Sequence, residues 1–146
     1  MNFTLLTHLT IAVVMDFKTG KISNRLIVSG LIWGLAFRLM GDGMAGVLPF
    51  LIHISIPVIL FILLFQIRAI GAGDIKLFSV VGGFLSIRQL VYLVLTAFVV
   101  AAGIGVLKLF YQVKTVGYQM GSRTLIHFST AILIAYFIVV WGWGIA

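Results

Sequence analysis

The order of hydrophobic and polar positions divides the chain into long apolar runs separated by short charged or glycine-rich breaks. The runs are Asn2 to Met15, Leu26 to Met40, Met44 to Gln66, Ile75 to Ile87, Gln89 to Tyr111 and Leu125 to Ile145. Within the third, Ile54 to Phe65 is almost uninterrupted. All are built from Leu, Ile, Val, Phe and Ala, without the period-two alternation of a membrane β-strand, and so predict helices. A helix needs about 20 apolar residues to cross a bilayer. The pattern therefore predicts about six spans, of which the first, second and fourth are short. Those three either extend into flanking polar residues or stop short and leave a water-accessible notch. There is no internal repeat, and Tyr111 to Thr124 is the one stretch long enough for a real loop, read as an amphipathic cytoplasmic connection.

Composition turns that pattern into a fold class. The chain is 62% hydrophobic and 9% charged, with a mean hydropathy of +1.26. A soluble domain is about 45–50% apolar and about 25% charged, and one of this length leaves too much surface in water to hide so much apolar material. Both a soluble fold and disorder are excluded. The expectation is an all-α integral membrane protein, residues 1–146 forming a single transmembrane domain with no separate soluble domain. Met1 to Met15 has no Lys or Arg before it and no small-residue cleavage site after it, so it reads as a retained first span rather than a signal peptide. The sequence has no cysteine, which excludes thiolate chemistry and disulfides.

Charge then orients the bundle. Ten Lys and Arg stand against three acids, for a net charge of +7. With the N-terminus outside, Lys18, Lys21, Arg25, Arg68, Lys76, Lys108, Lys114 and Arg123 fall on the cytoplasmic side, and Arg38 and Arg88 on the outer side. Basic residues accumulate in short cytoplasmic loops, so both termini are expected outside, with Trp141-Gly142-Trp143 at the outer interface. This reading takes the basic excess as topology and removes nucleic acid as a partner; the bilayer is the partner it implies.

Three acids leave few places for chemistry. Asp42 lies in a glycine turn four residues after Arg38, at a spacing that suits a helix-end ion pair or solvation. Asp16 and Asp74 each sit at a membrane boundary beside an apolar run, on the same side by the topology above. Ionisable groups there are functional candidates. Two carboxylates brought close together do not both ionise readily, so one holds a proton while the other is anionic. That pair can activate water and protonate a leaving amine, which is aspartic peptide hydrolysis and needs no metal or cofactor. His8, His53 and His127 are scattered and make a poor zinc site; each is assigned to packing or a local hydrogen bond. No metal and no cofactor are expected.

Around the second acid the residues read Gly71-Ala72-Gly73-Asp74-Ile75-Lys76-Leu77. Glycines there let the backbone bend and approach a partner closely. This segment resembles the GxGD motif of intramembrane aspartic proteases, and its continuation through Lys76 and Leu77 resembles the prepilin peptidase branch. Asp16 with Ile22 and Asn24 is similar to that family's first motif, an aspartate followed six residues later by Ile-Pro-Asn, with Ser23 in place of the proline. The Tyr-Asp motif of the presenilin branch is absent, since Asp16 follows Met15. The resemblance implies Asp16 and Asp74 as the catalytic pair, with Gly71, Gly73, Lys76, Ile22 and Asn24 as supporting motif residues. It implies a multi-pass endopeptidase of a prokaryotic cytoplasmic or inner membrane that cuts the basic leader from prepilin-like substrates, of the type IV pilin, Flp pilin or preflagellin kind. The chain resembles the short, peptidase-only form, without the cysteine-bearing insertion or the N-methylating activity of larger members.

Two other classes compete with this reading: a small ion-coupled transporter, for which no repeat symmetry is found, and a non-catalytic assembly factor of a secretion or pilus system. Several residues carry open alternatives. Lys76 either anchors to lipid head groups or acts near Asp74 or on substrate. Asn24 either caps the second helix or hydrogen-bonds near Asp16. Gly82-Gly83 and Gly103-Ile104-Gly105 suit close helix approach, and Pro49 and Pro57 are expected to kink the third span.

Overall fold

A computed structural model of the chain describes residues 2–67, 70–116 and 128–142. The described residues form six α-helices and contain no strand. These are α1 (Asn2–Thr19), α2 (Asn24–Asp42), α3 (Val47–Gln66), α4 (Ala72–Phe84), α5 (Ile87–Val116) and α6 (Phe128–Phe137). A 3₁₀ turn at Gly43–Gly46 joins α2 to α3, and a π-helical turn at Ile138–Gly142 continues α6.

The short apolar runs resolve in two different ways. α1 and α2 reach 18 and 19 residues by taking in the polar residues at their ends. α4 stops at 13 residues, about 20 Å long, well under the ~30 Å of a bilayer's hydrocarbon. α5 runs beyond the expected Tyr111 to Val116, because nothing before Gly117 breaks a helix; the expected loop therefore begins inside α5. The rest of that loop, with Arg123, and also Arg68, His127 and Trp143, lies outside the described residues.

α4 is the centre. Every residue from Leu77 to Leu85 is buried, as is Ile75, as expected of a helix that is apolar all round. α1, α2, α3, α5 and α6 all contact it. Small residues set the closest approaches. A Cβ on Gly30 of α2 would come within 2.7 Å of Val80, and one on Gly83 within 2.8 Å of the Phe50 ring of α3. At Gly82 it would fall on the carbonyl oxygen of His53 in α3. Pro57 stands inside α3 and lacks the N–H that would bond that carbonyl four residues back. The oxygen that Pro57 frees therefore faces a glycine on the neighbouring helix, one way in which membrane helices accommodate proline. Pro49 lies in the first turn of α3, where its missing N–H has no helical partner to lose, so the expectation of a kink does not apply there. Gly103 also departs from expectation: a Cβ there meets nothing within 4 Å.

Phenylalanines tie the remaining helices to the centre. Phe61 of α3, Phe78 of α4, Phe98 of α5 and Phe128 of α6 form a closed ring of contacts, with centroids 5.0 to 5.9 Å apart. Each such pair adds roughly 0.5–1.5 kcal/mol beyond its burial, and the cluster fixes the start of α6. Two helical stretches among the described residues, Asn24–Gln66 and Ile87–Lys108, are long and apolar enough to cross a membrane. Only 17% and 22% of their most apolar windows are buried within the protein. Ile59, Leu63 and Val99 are each about two-thirds exposed or more, an outer surface suited to lipid rather than water.

At the end of the bundle where α4 finishes, the Arg38 guanidinium donates to the carbonyl of Leu85 at 3.0 Å and lies 3.2 Å from His53 Nδ1. It also pairs with Asp42 at 3.7 Å, the helix-end ion pair that the four-residue spacing suggested. His8, in α1, contacts the Thr4 carbonyl at 2.8 Å and the Ser29 hydroxyl at 3.3 Å. Both histidines are thus held by hydrogen bonds, His8 partly within its own helix and His53 by a neighbouring one.

Candidate active site

The opposite end of the bundle collects the motif residues, and the local sequence explains how each is placed. α1 ends because Gly20 adopts a left-handed conformation, φ +63°, and its N–H bonds the carbonyl of Asp16 at 2.8 Å. Glycine takes that conformation without strain. Asp16 is therefore held in the last turn of α1. After a four-residue link, α2 starts at Asn24 with Ser23 as its cap: the serine oxygen accepts from the Arg25 N–H at 3.2 Å. Ser23 has φ −66°, the angle a proline would impose. The residue standing where the related motif has proline thus keeps the geometry and adds a cap. Capping falls to Ser23, leaving Asn24 free for another partner.

α4 starts from Gly71, which is extended (φ −76°, ψ 149°) in a conformation open to any residue. The glycine is needed for space, not for bending: a Cβ on Gly71 would come within 3.1 Å of Asp74 Oδ2. Asp74 lies in the first turn of α4, where unpaired backbone N–H groups favour a carboxylate, and its side chain folds back over Gly71. A Gly71→Ala variant should therefore fold with little change in thermal stability in detergent, since the backbone angles suit alanine. It should displace the Asp74 carboxylate by a few tenths of an ångström, and chemistry that uses this carboxylate should slow by about tenfold or more. Unchanged activity together with unchanged stability would show that the carboxylate's position over Gly71 is unimportant.

The two motifs meet. A Cβ on Gly73 would be in ordinary contact with the Ile22 side chain, 3.5 Å from its Cβ. Lys76 Nζ donates to Asn24 Oδ1 at 2.9 Å. Both supporting pairs thus run from one motif to the other, joining the first turn of α4 to the connection between α1 and α2. The Lys76 ammonium, two residues from Asp74, is engaged by the first motif's asparagine. Asp16 and Asp74 are each half-buried, within reach of both water and the bundle interior.

One residue of this site has no counterpart in either motif. The Ser129 hydroxyl, in the first turn of α6, donates to Asp16 Oδ2 at 2.6 Å. Ser129 is fully buried. In the sequence its signal is faint: one of two adjacent hydroxyl residues, Ser129 and Thr130, at the start of a long apolar run. The assembled end of the bundle offers two half-buried carboxylates on contacting helices, a lysine–asparagine clasp between their segments and a buried hydroxyl donor. Such a set can do acid–base chemistry on a neutral bond with its own groups.

Residues 3–106 match the model of the type IV leader peptidase family. The matched stretch contains both motifs and runs from α1 into α5; α6 lies beyond it. No curated protein and no solved structure matches the chain.

Proposed function

The chain belongs to the type IV leader peptidase family, and from that premise we propose that it is an aspartic endopeptidase that removes the basic leader from prepilin-like membrane proteins, with Asp16 and Asp74 as its catalytic pair. The observation that carries this reading is the joining of the two motifs, Lys76 to Asn24 and Gly73 to Ile22, which draws the two acid-bearing helix ends into one locality.

In this reading the six helices form one domain, residues 1–146, in the cytoplasmic membrane of a prokaryotic cell, with both termini outside and the joined motifs at the cytoplasmic face. The bias of Lys and Arg supports that orientation. The substrate's apolar helix lies in lipid against the bundle, and its leader junction reaches the carboxylates. A peptide bond at a helix boundary is open to attack, whereas one inside a helix is shielded. The anionic carboxylate takes a proton from water as its oxygen attacks the peptide carbonyl carbon. The protonated partner hydrogen-bonds to the carbonyl oxygen. Collapse of the tetrahedral intermediate breaks the C–N bond, and the leaving amine carries away a proton. The residues that do this are the chain's own, and no cofactor enters. The basic residues on this side suit phospholipid head groups; a basic leader would be repelled by them and is held by its backbone and its junction instead.

The experiment is reconstitution of the purified protein in liposomes with a single-span prepilin-like substrate, followed by mass spectrometry of the products. A single cut between leader and apolar helix is expected. Intact substrate across a panel of pilin-type and preflagellin-type leaders, or a cut within the apolar helix, would overturn the proposal.

A further inference from the structure

Hydroxyls in this bundle have a default partner. Thr7, Thr10, Ser55, Ser79 and Thr96 each donate to the carbonyl four residues back on their own helix, at 2.7 to 3.3 Å. That habit satisfies the donor locally at little cost. Ser129 instead reaches another helix, to a residue 113 positions away in the chain. Its 2.6 Å contact with Asp16 Oδ2 is in the range of a hydroxyl donating to a carboxylate. It is also fully buried, so the hydroxyl lacks water as an alternative partner, and losing Asp16 would leave it costly to bury.

The surrounding architecture holds the donor still. Phe128, next to it in the chain, is clamped edge-on against Phe78 and Phe98. On its other side, Ala131, Ile132 and Ala135 are fully buried, and α6 packs against α1. The last turn of α1, where Asp16 sits, presents carbonyls rather than N–H groups, so its backbone offers the carboxylate no donor of the kind that Ser129 supplies.

We infer that Ser129 is a positioning residue for Asp16: it donates its hydroxyl hydrogen to Oδ2 and holds that carboxylate in one orientation for reaction. This extends the reading of Asp16 as catalytic and rests on it. It also makes α6, which lies outside the family-matched stretch, part of the working site. Misplacing a reacting group by about 1 Å can cost about a hundredfold in rate, and Ser129 contacts the acid rather than the substrate, so its loss should fall on kcat.

The test measures cleavage of a prepilin-like peptide by liposome-reconstituted Ser129→Ala, Ser129→Cys and Ser129→Thr beside Asp16→Asn. Cysteine keeps the side-chain shape, with a somewhat larger sulfur, but is a weak donor; threonine keeps the hydroxyl. Expected are a fall in kcat of about 10- to 100-fold for Ser129→Ala and Ser129→Cys, with KM within about twofold, and recovery to within a few-fold of wild type for Ser129→Thr. Wild-type kcat in Ser129→Cys, beside an inactive Asp16→Asn, would overturn the positioning role while leaving Asp16 catalytic. Equal losses in all three Ser129 variants, tracking a loss of thermal stability, would overturn it in favour of packing. Wild-type cleavage by Asp16→Asn would overturn the reading of Asp16 itself, and with it this extension.

Discussion

An Asp74→Asn variant is expected to cleave a prepilin-like substrate at least about a thousandfold more slowly than wild type, with its helices intact. The size follows from what the amide removes. The amide can neither take the proton from water nor supply one to the leaving amine, and a loss of about a thousandfold corresponds to about 4 kcal/mol of transition-state stabilisation. The fold should tolerate the change. Asp74 is half-buried in the first turn of α4, and an exposed or partly exposed carboxylate there gains only about 0.3–1 kcal/mol from the helix end. Circular dichroism and thermal denaturation in detergent check the fold, and leader removal checks the chemistry. Asp16→Asn should behave in the same way. A non-catalytic assembly factor would instead keep its function in both variants, since it needs no carboxylate that exchanges protons with a scissile bond.

The largest effect on stability should come from Gly82. A methyl group there meets the carbonyl oxygen of His53 and, behind it, the carbonyl carbon at 3.1 Å. Both are backbone atoms of α3 and cannot swing aside as a side chain can. Relief would require α3 and α4 to part, which would also loosen the Phe50 and Phe61 contacts along the same interface. Overpacking of this kind costs about 1–3 kcal/mol, and Gly82→Val should cost more than Gly82→Ala. Gly103→Ala is the internal control. Nothing stands within 4 Å of its Cβ, and alanine favours a helix over glycine by about 1 kcal/mol, so this variant should match or exceed wild type in thermal denaturation. Equal tolerance at both positions would mean that α3 and α4 do not approach closely at Gly82.

Much of this was legible in the chain because bilayers impose simple rules. Long apolar runs foretold the helices, and the three acids were few enough to weigh one by one. Asp16 and Asp74 stood out through their glycines and asparagine, and these supporting residues do link the two motifs. Their particular pairing was not legible. Periodicity can put Lys76 on a face, but only packing shows that Asn24 is its partner and that Ser23 takes over the cap. The glycines were read as points of bending and of close approach; only the second applies at Gly71, which has ordinary backbone angles and makes room for Asp74. Gly20, whose left-handed turn ends α1 behind Asp16, was hidden among charged neighbours. Ser129 was hardest to see, because a serine in an apolar helix ordinarily bonds its own backbone, and the alternative partner lies 113 residues away. The centrality of α4 was also hidden: its run is among the shortest, and full burial in the middle of the bundle leaves the same apolar signature as exposure to lipid.

The central claim is that Asp16 and Asp74 act as one unit, and the most direct measurement compares cleavage rates of Asp16→Asn, Asp74→Asn and the double variant in the same liposome assay. Residues that share one catalytic step are strongly non-additive. The two single variants should each lose at least about a thousandfold, and the double variant should be no slower than the slower of them. Multiplying losses, or one single variant cleaving at the wild-type rate, would contradict a shared site.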